Sequence, residues 1–313
     1  MTTSQATPAD GVLVVDKPAG HTSHDVTNHI RHALRRAYGP PGRRHGHKVG
    51  HTGTLDPGAT GVLVVCLGRA TRLVPYLQAG RKTYEARMQL GRTTTTLDAD
   101  GDVTAEQDAS HVDEQTVCEA LKRFVGPIEQ IPPMVSAVRV DGERLHVRAR
   151  RGEVVERAPR PVVINDLVLE DFVPGRFPEI EFLVSCSAGT YVRTLADDIG
   201  ATLGVGGHLT ALRRLASGGA RISQAVTPDD AEAAIAAGGL GGLLLTPAAA
   251  MAQAEYPTVV LADAAVSQLS HGRPIAPTGH DGPVAALDTG GTLVAVVADD
   301  DGRARPLVVL TPA

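Results

Sequence analysis

The stretch GHTGTLDPGATG, residues 50–61, holds one acid, Asp56, among four glycines, three threonines and one histidine. Glycine opens backbone conformations closed to other residues, and Pro57 fixes its own φ while restricting the residue before it. The segment is therefore a shaped backbone carrying a single carboxylate at its turn. Such a carboxylate either closes a structural turn or does chemistry, as a nucleophile or as a general base. Two aromatics are candidates to serve such a site: Tyr84 in KTYEARMQLG and Tyr191 at the start of YVRTL. In a chain with no Trp, five Tyr and four Phe, they are the faces available for stacking an unpaired nucleobase. A core position explains either one alone. Arg193 follows Tyr191 by two residues. An arginine beside Asp56 would keep that carboxylate ionised at neutral pH, although spacing alone does not bring the two together.

Other chemistries lack their residues. The loop does not end in the Gly-Lys-Ser/Thr of a phosphate cradle, and GVGG at 204–207 follows a helical pattern instead of a strand. No Gly-x-Ser-x-Gly elbow is present. His45, His47 and His51 have no acid or cysteine nearby to complete a metal site, so no metal is expected. A retaining glycosidase would need a second carboxylate about 5 Å from the first, and no second acid stands in a matching motif. Cys66, Cys118 and Cys186 are far apart and odd in number. They read as buried thiols in a reducing compartment.

The elements that must position Asp56 follow from periodicity. GVLVVDKPAG (11–20) reads as a strand, SHDVTNHIRHALRRAYG (23–39) as a helix capped by Ser23, and GVLVVCLG (61–68) as a second strand. A short helix over ATRLVPYLQ precedes the alternating strand at 82–91, and the polar segment 93–110 is expected to be exposed. A helix over 113–126 is followed by a strand, an Asp-Gly turn, a short basic helix and another strand over 134–172. After the strand at 179–189, helices are expected over 190–204 and over HLTALRRLA, 208–216. Residues 231–254 read as a helical linker, and the end from Tyr256 as a small β-rich module. At 313 residues with a mean hydropathy of -0.02, the chain has room for two domains. No apolar run reaches bilayer length, and MTTSQATPAD lacks the features of a signal peptide. The expectation is a cytoplasmic protein without a membrane partner.

The net charge of -5 hides an asymmetry. From Thr227 onward ten acids face three arginines, so that tail carries -7 and the preceding residues +2. Arg31, Arg35, Arg36, Arg43, Arg44 and Lys48 lead into the Asp56 loop with no acid after Asp25. That is either a footprint for a polyanion or a solvated helix face.

In order along the chain, the motifs resemble those of the TruB family of bacterial tRNA pseudouridine synthases. These are GVLVVDKPAGHTSHDV, GHTGTLDPGATGVLVVCLG, KTYEARMQLGRTTTTLDADG, IEQIPPMVSAVRVDGERLHVRARRG, and CSAGTYVRTLADDIG with HLTALRRLA. The resemblance covers nearly the whole chain. It implies an α+β fold: a mixed, largely antiparallel pseudouridine synthase sheet with flanking helices, plus a C-terminal PUA-like RNA-binding domain. The implied divisions are a catalytic domain over 1–230 with a central insertion at about 92–155, a linker or helical region over 231–254, and the PUA-like domain over 255–313. The implied activity is isomerisation of uridine 55 in the tRNA T-loop, by a monomer acting without cofactor or obligate protein partner. By the same resemblance Asp56 is catalytic, His51 and Tyr84 contact a flipped nucleotide, Tyr191 packs beside its base, and Arg193 pairs with Asp56. Leu212 would line the uracil pocket, and Lys17 would support the site. The chain departs from the family at His146, where Tyr is common, in a longer basic connection over 40–48, and in lacking an Asp between the threonines of TTTTLDADG. Two alternatives remain at this stage: the catalytic subunit of a guide-RNA-dependent pseudouridylation particle, and a tRNA-folding chaperone with weak catalysis.

Overall fold

The computed structural model describes residues 10–39, 47–136, 139–140, 142–144, 148, 151, 153 and 155–312. His146, most of the 40–48 connection and most of the basic helix expected after the Asp-Gly turn lie outside the described residues.

The elements begin with β1 (Gly11–Lys17), α1 (Ser23–Tyr38), β2 (Val49–Thr52) and β3 (Thr60–Leu67). A 3-10 turn (Gly68–Leu73) runs into α2 (Val74–Gln78), then β4 (Lys82–Leu90), β5 (Arg92–Thr94), β6 (Val103–Glu106) and α3 (Glu114–Lys122). Next come β7 (Gly126–Gln130), the two-residue β8 (Arg139–Val140) and β9 (Glu143–Arg144), β10 (Arg160–Val173), β11 (Glu179–Cys186) and α4 (Val192–Thr202). β12 (Gly207–Ser217), β13 (Ala220–Arg221), α5 (Pro228–Ala236) and α6 (Pro247–Gln253) precede the last group. That group is β14 (Thr258–Val260), α7 (Asp263–Ser270), β15 (Val284–Leu287), β16 (Leu293–Asp300) and β17 (Arg303–Val309).

Two compact units emerge. The first runs to Gly80 and resumes at Ala216, and the second is Arg81–Leu215. In the first, β3 pairs antiparallel with β1, from Leu67 opposite Gly11 to Gly61 opposite Lys17, and also with β2. The runs VLVV and VLVVC have apolar residues on both strand faces because both faces are covered. On one side Leu13, Val15, Leu63, Val65 and Leu67 pack against Val26, Ile30 and Leu34 of α1 and Ala231 and Ile235 of α5. On the other, Val12, Val14, Val64 and Cys66 meet Leu73, Leu77, Met251 and the C-terminal Ala285, Val296 and Leu310. Burial among these side chains pushes the Cys66 thiol up to about 12, so it stays protonated and inert. The 231–254 stretch is thus helical and contributes to both cores. The C-terminal residues form their own sheet, β14-β15-β16-β17, with β14 parallel to β15 and the other pairs antiparallel.

Helix α1 starts one residue earlier than its sequence implies. Thr22, not Ser23, is the cap: its hydroxyl accepts from Asp25 N, and the Asp25 carboxylate accepts from Thr22 N. The Ser23 hydroxyl is thereby released for another contact.

In the second unit the strand order is β12-β4-β11-β10-β7. β4, β11, β10 and β7 pair antiparallel with their neighbours, with Tyr84 opposite Val184. Helix α4 buries Leu195, Ala196 and Ile199. The expected second helix over 208–216 is strand β12 instead. Ala, Leu and Arg favour helix, but a strand position in a packed sheet outweighs these weak propensities. Among the described residues no helix is long and apolar enough to cross a membrane.

Gly200 fixes how α4 meets the chain that follows it. A Cβ there would fall 2.3 Å from Gly206 C and Gly207 N. Alanine normally stabilises a helix by about 1 kcal/mol over glycine. Here the backbone clash reverses the sign, and Gly200→Ala should lose about 2 kcal/mol. Urea unfolding with an unchanged slope is the measurement that checks it.

Candidate active site

Asp56 lies half-buried in the connection between β2 and β3. Its own carbonyl accepts from Ala59 N at 3.1 Å, closing the turn. The residues on either side are held from the β1–α1 junction. Leu55 is 3% exposed; its N donates to Ser23 Oγ at 2.9 Å, and its carbonyl accepts from the same hydroxyl at 3.3 Å. Pro57 O accepts from Gly20 N at 2.9 Å and from Lys17 Nζ at 3.1 Å. Lys17 is fully buried and also donates to Pro18 O at 2.9 Å and His21 O at 2.6 Å. Lys17, Gly20 and Ser23 of the motif DKPAGHTS thus hold the residues on both flanks of Asp56. His51, half-buried on β2 opposite Val65, belongs to the same unit.

Tyr84, Tyr191, Arg193 and Leu212 all lie in the second unit. Tyr84 is 6% exposed on β4, and Leu212 is half-buried on β12. Tyr191 is the N-cap of α4. Its backbone is clamped by Gln130, which accepts from Tyr191 N at 2.9 Å and donates to Tyr191 O at 3.2 Å. Gln130 is 2% exposed at the end of β7. Nothing in the sequence singled it out, since its partner is 61 residues away.

Arg193 is buried, and its guanidinium is oriented by three acceptors. Nη1 donates to Asp98 Oδ2 at 2.9 Å and to Thr96 O at 3.2 Å, and Nη2 donates to Val135 O at 2.8 Å. Asp98 comes from TTTTLDADG, the segment that departs from the family in lacking an Asp between its threonines. The segment supplies a carboxylate all the same, from a tight turn. Leu97 sits at φ 65, uncommon for a bulky residue, and is held by its carbonyl accepting from Leu209 N at 3.0 Å. Thr94 Oγ1 donates to Asp98 O at 2.7 Å. The exposure expected of 93–110 holds for Val103–Asp108, while Thr94 and Ala109 are buried.

Three domain families match in order along the chain. The N-terminal domain of the TruB family of pseudouridylate synthases matches residues 42–192. A TruB C-terminal domain follows over 193–240, and a tRNA pseudouridine synthase II C-terminal domain over 256–311. The tRNA pseudouridine synthase B of Thermobifida fusca (strain YX) is 43% identical over 306 residues, 96% of this chain and 98% of that protein. The chain belongs to the TruB family.

The tRNA pseudouridine synthase B of Symbiobacterium thermophilum is 49% identical over 267 residues, covering 85% of this chain and 83% of the relative. Among solved structures, a chain from a Cbf5-Nop10-Gar1 complex is similar with a TM-score of 0.73 and 28% identity, covering 96% of this chain and 85% of that one. A chain from an H/ACA RNP bound to a substrate RNA containing 2′-deoxyuridine gives 0.71 and 26%, over 96% of this chain and 85% of that one. As a TruB-family protein, the chain is a pseudouridine synthase, an isomerase with a C-terminal β-rich domain.

Two measurements follow for the residues around the site. Lys17→Met keeps the bulk but leaves buried carbonyls without their donor, at about 1–3 kcal/mol for each such group. Denaturant unfolding should register a loss of about 3 kcal/mol, and turnover should fall more than ten-fold because the Asp56 loop loses its mount. Lys82, two residues before Tyr84, has its pKa lowered to about 8 by burial and then by the Arg214 charge. The folded state therefore holds this proton less tightly than the unfolded state, and the penalty of a charged Lys82 is full below pH 8. The melting-temperature difference between Lys82→Met and wild type should shrink steadily as pH rises from 8 to 10.5.

Proposed function

We propose that this TruB-family enzyme converts uridine 55 in the T-loop of tRNA to pseudouridine, with Asp56 as the essential group and without a cofactor. The observation that carries the reading is Asp56 itself, the single carboxylate of a loop clamped on both flanks by Ser23, Gly20 and Lys17. Relatives of 43% and 49% identity named tRNA pseudouridine synthase B supply the substrate class.

The reaction breaks the C1′–N1 bond, turns the uracil while it stays bound, and joins C5 to C1′. The proton on C5 is released and N1 gains one, so nothing is oxidised and no group is lost. An ionised carboxylate serves such a reaction either by attacking C1′ or by taking the 2′ proton. A uridine stacked inside a folded loop is out of reach, so it is flipped out. In this assignment His51 contacts the flipped nucleotide, Tyr84 stacks on its base, Tyr191 packs beside it and Leu212 lines the uracil pocket. Arg193 keeps the catalytic carboxylate ionised, and Lys17 supports the loop. The enzyme acts in the cytoplasm as a monomer on the T-arm of tRNA, through its catalytic domain and its PUA-like end.

The likeness to Cbf5-containing complexes keeps a second reading in view, a subunit dependent on a guide RNA. The identity of 28% in that comparison against 43–49% for the tRNA enzymes favours the first. Tritium release from C5-labelled uridine in a T-arm transcript decides between them. The protein alone should release it, and a transcript with the target uridine replaced by cytidine should not. Asp56→Asn should abolish release while tRNA binding stays within a few-fold. Near-normal turnover in that variant would sink the mechanism, and activity only with added guide RNA would transfer the protein to the second class. A chaperone with weak catalysis would keep its folding activity in Asp56→Asn and show little release in wild type.

A further inference from the structure

The outer surface of α1 divides along its length. At 3.6 residues per turn, His24, Asn28, Arg31, His32 and Arg35 fall within about 100° of one another, opposite the buried Val26, Ile30 and Ala33. His24, His32 and Arg35 are exposed. His29 and Arg36 lie on the neighbouring flank, where Glu232 of α5 pairs with both. The first stripe has no such counter-charge. The sequence holds no acid between Asp25 and Asp56, and the Asp25 carboxylate is engaged in the cap, accepting from Thr22 N and Oγ1. Lys48 joins the stripe from β2. Arg31 donates to Asn28 Oδ1 and, through Nη2, to Val49 O at 3.1 Å, which holds the start of β2 against this side of α1. Lys48, the residue before Val49, is exposed. Among the described residues neither Arg35 nor Lys48 makes an ion pair.

From His24 to Arg35 the stripe runs about 16 Å at 1.5 Å per residue. Its first turn adjoins the Asp56 loop, because Ser23 Oγ donates to Leu55 O and accepts from Leu55 N. One flank of the helix is neutralised by a neighbouring helix and the other is left cationic, which fits a polyanionic partner on the cationic side. The stripe carries no Tyr, Phe or Trp on which a base could stack. What it presents is guanidinium and ammonium charge with imidazole and amide N–H donors between, the chemistry that meets phosphate oxygens. We propose that the α1 stripe, with Arg35 and Lys48 as its charged pair, binds the sugar-phosphate backbone of the T-arm stem while the loop of that arm reaches Asp56. Such contacts set affinity and register and read no base sequence. The partner rests on the tRNA reading of the Asp56 loop; the contact does not depend on which chemistry Asp56 performs.

Arg35 and Arg36 are adjacent in sequence, carry the same charge and stand on different flanks, so they supply a matched pair of variants. A T-arm stem-loop is titrated into the full-length protein in the Asp56→Asn background, where affinity is read apart from turnover. Arg35→Gln should weaken binding about three-fold, and Arg35→Gln with Lys48→Gln about ten-fold, at about 0.1 M salt. The double variant should also flatten the dependence of log K on log salt by about 2. Arg36→Gln removes the same charge from the neutralised flank and should leave affinity within two-fold. With Asp56 restored, the double variant should raise KM more than it lowers kcat. Both positions are exposed, and melting curves coincident with wild type separate the loss from unfolding. Wild-type affinity in the double variant, equal losses in Arg35→Gln and Arg36→Gln, a loss seen with whole tRNA but not with the stem-loop, or no binding of the stem-loop at all would overturn the proposal. Its failure is distinct from failure of the functional reading. Tritium release by wild type with no effect of the stripe variants strikes the stripe alone, and stripe-dependent binding without release strikes the assigned reaction alone.

Discussion

Lys17 Nζ is sealed from water, so its charge is met by backbone carbonyls, and one of them belongs to the residue that follows Asp56. A buried ammonium with too few acceptors is several kcal/mol out of balance. The turn after β1 and the loop before β3 are therefore pulled to one point. Because β1 pairs with β3 along its whole length, Lys17 stands opposite Gly61, at the base of the same loop. The strand pairing sets the distance, and the ammonium and the Ser23 hydroxyl set the shape. An acid on a loop held this way keeps one position without being itself packed in a core, which is what a group that must meet a substrate requires.

Much of this was legible in residue types. The apolar runs of β1 and β3, the amphipathic α1 and the glycine-proline loop follow from local chemistry, and the order of motifs pointed to the family. The failures share a cause. Ser23 resembles a cap, but Thr22 takes that role, and the difference depends on a capping box with Asp25 and on a partner at Leu55, 32 residues on. HLTALRRLA has helical composition, yet sheet pairing makes it β12. Gln130 and Asp98 orient Tyr191 and Arg193 across 61 and 95 residues. No spacing rule encodes such contacts, and Asp98 was easily passed over inside a polar segment. Lys17, which holds the loop, was named beforehand by the order of motifs; Ser23, Gln130 and Asp98, whose partners lie far off in sequence, were not.

The acidic tail also changes meaning. Asp299 accepts from Thr278 N and Gly279 N, Asp288 accepts from Thr292 N, and Asp230 pairs with the capping Thr227. These acids shape turns and helix starts inside the protein. Glu232 goes further and takes both His29 and Arg36 of α1, cancelling part of the basic run that leads to the Asp56 loop. Arg35 and Lys48 stay exposed. Net charge summed along the chain was thus a poor guide to what a polyanion would meet.

The first unit is discontinuous. Its central strand pair is covered on one face by Ala285, Val296 and Leu310, and Arg69 Nη1 reaches Leu310 O at 2.9 Å while Tyr256 Oη donates to Tyr76 O at 3.0 Å. The second unit, by contrast, is one continuous stretch of 81–215. On a ribosome, where domains fold as their residues emerge, residues 81–215 emerge before the C-terminal residues that cover one face of the β1–β3 pair. The mount of Asp56 is made early and closed late: β1 and β3 wait, with an apolar face uncovered, until the last strands have been synthesised.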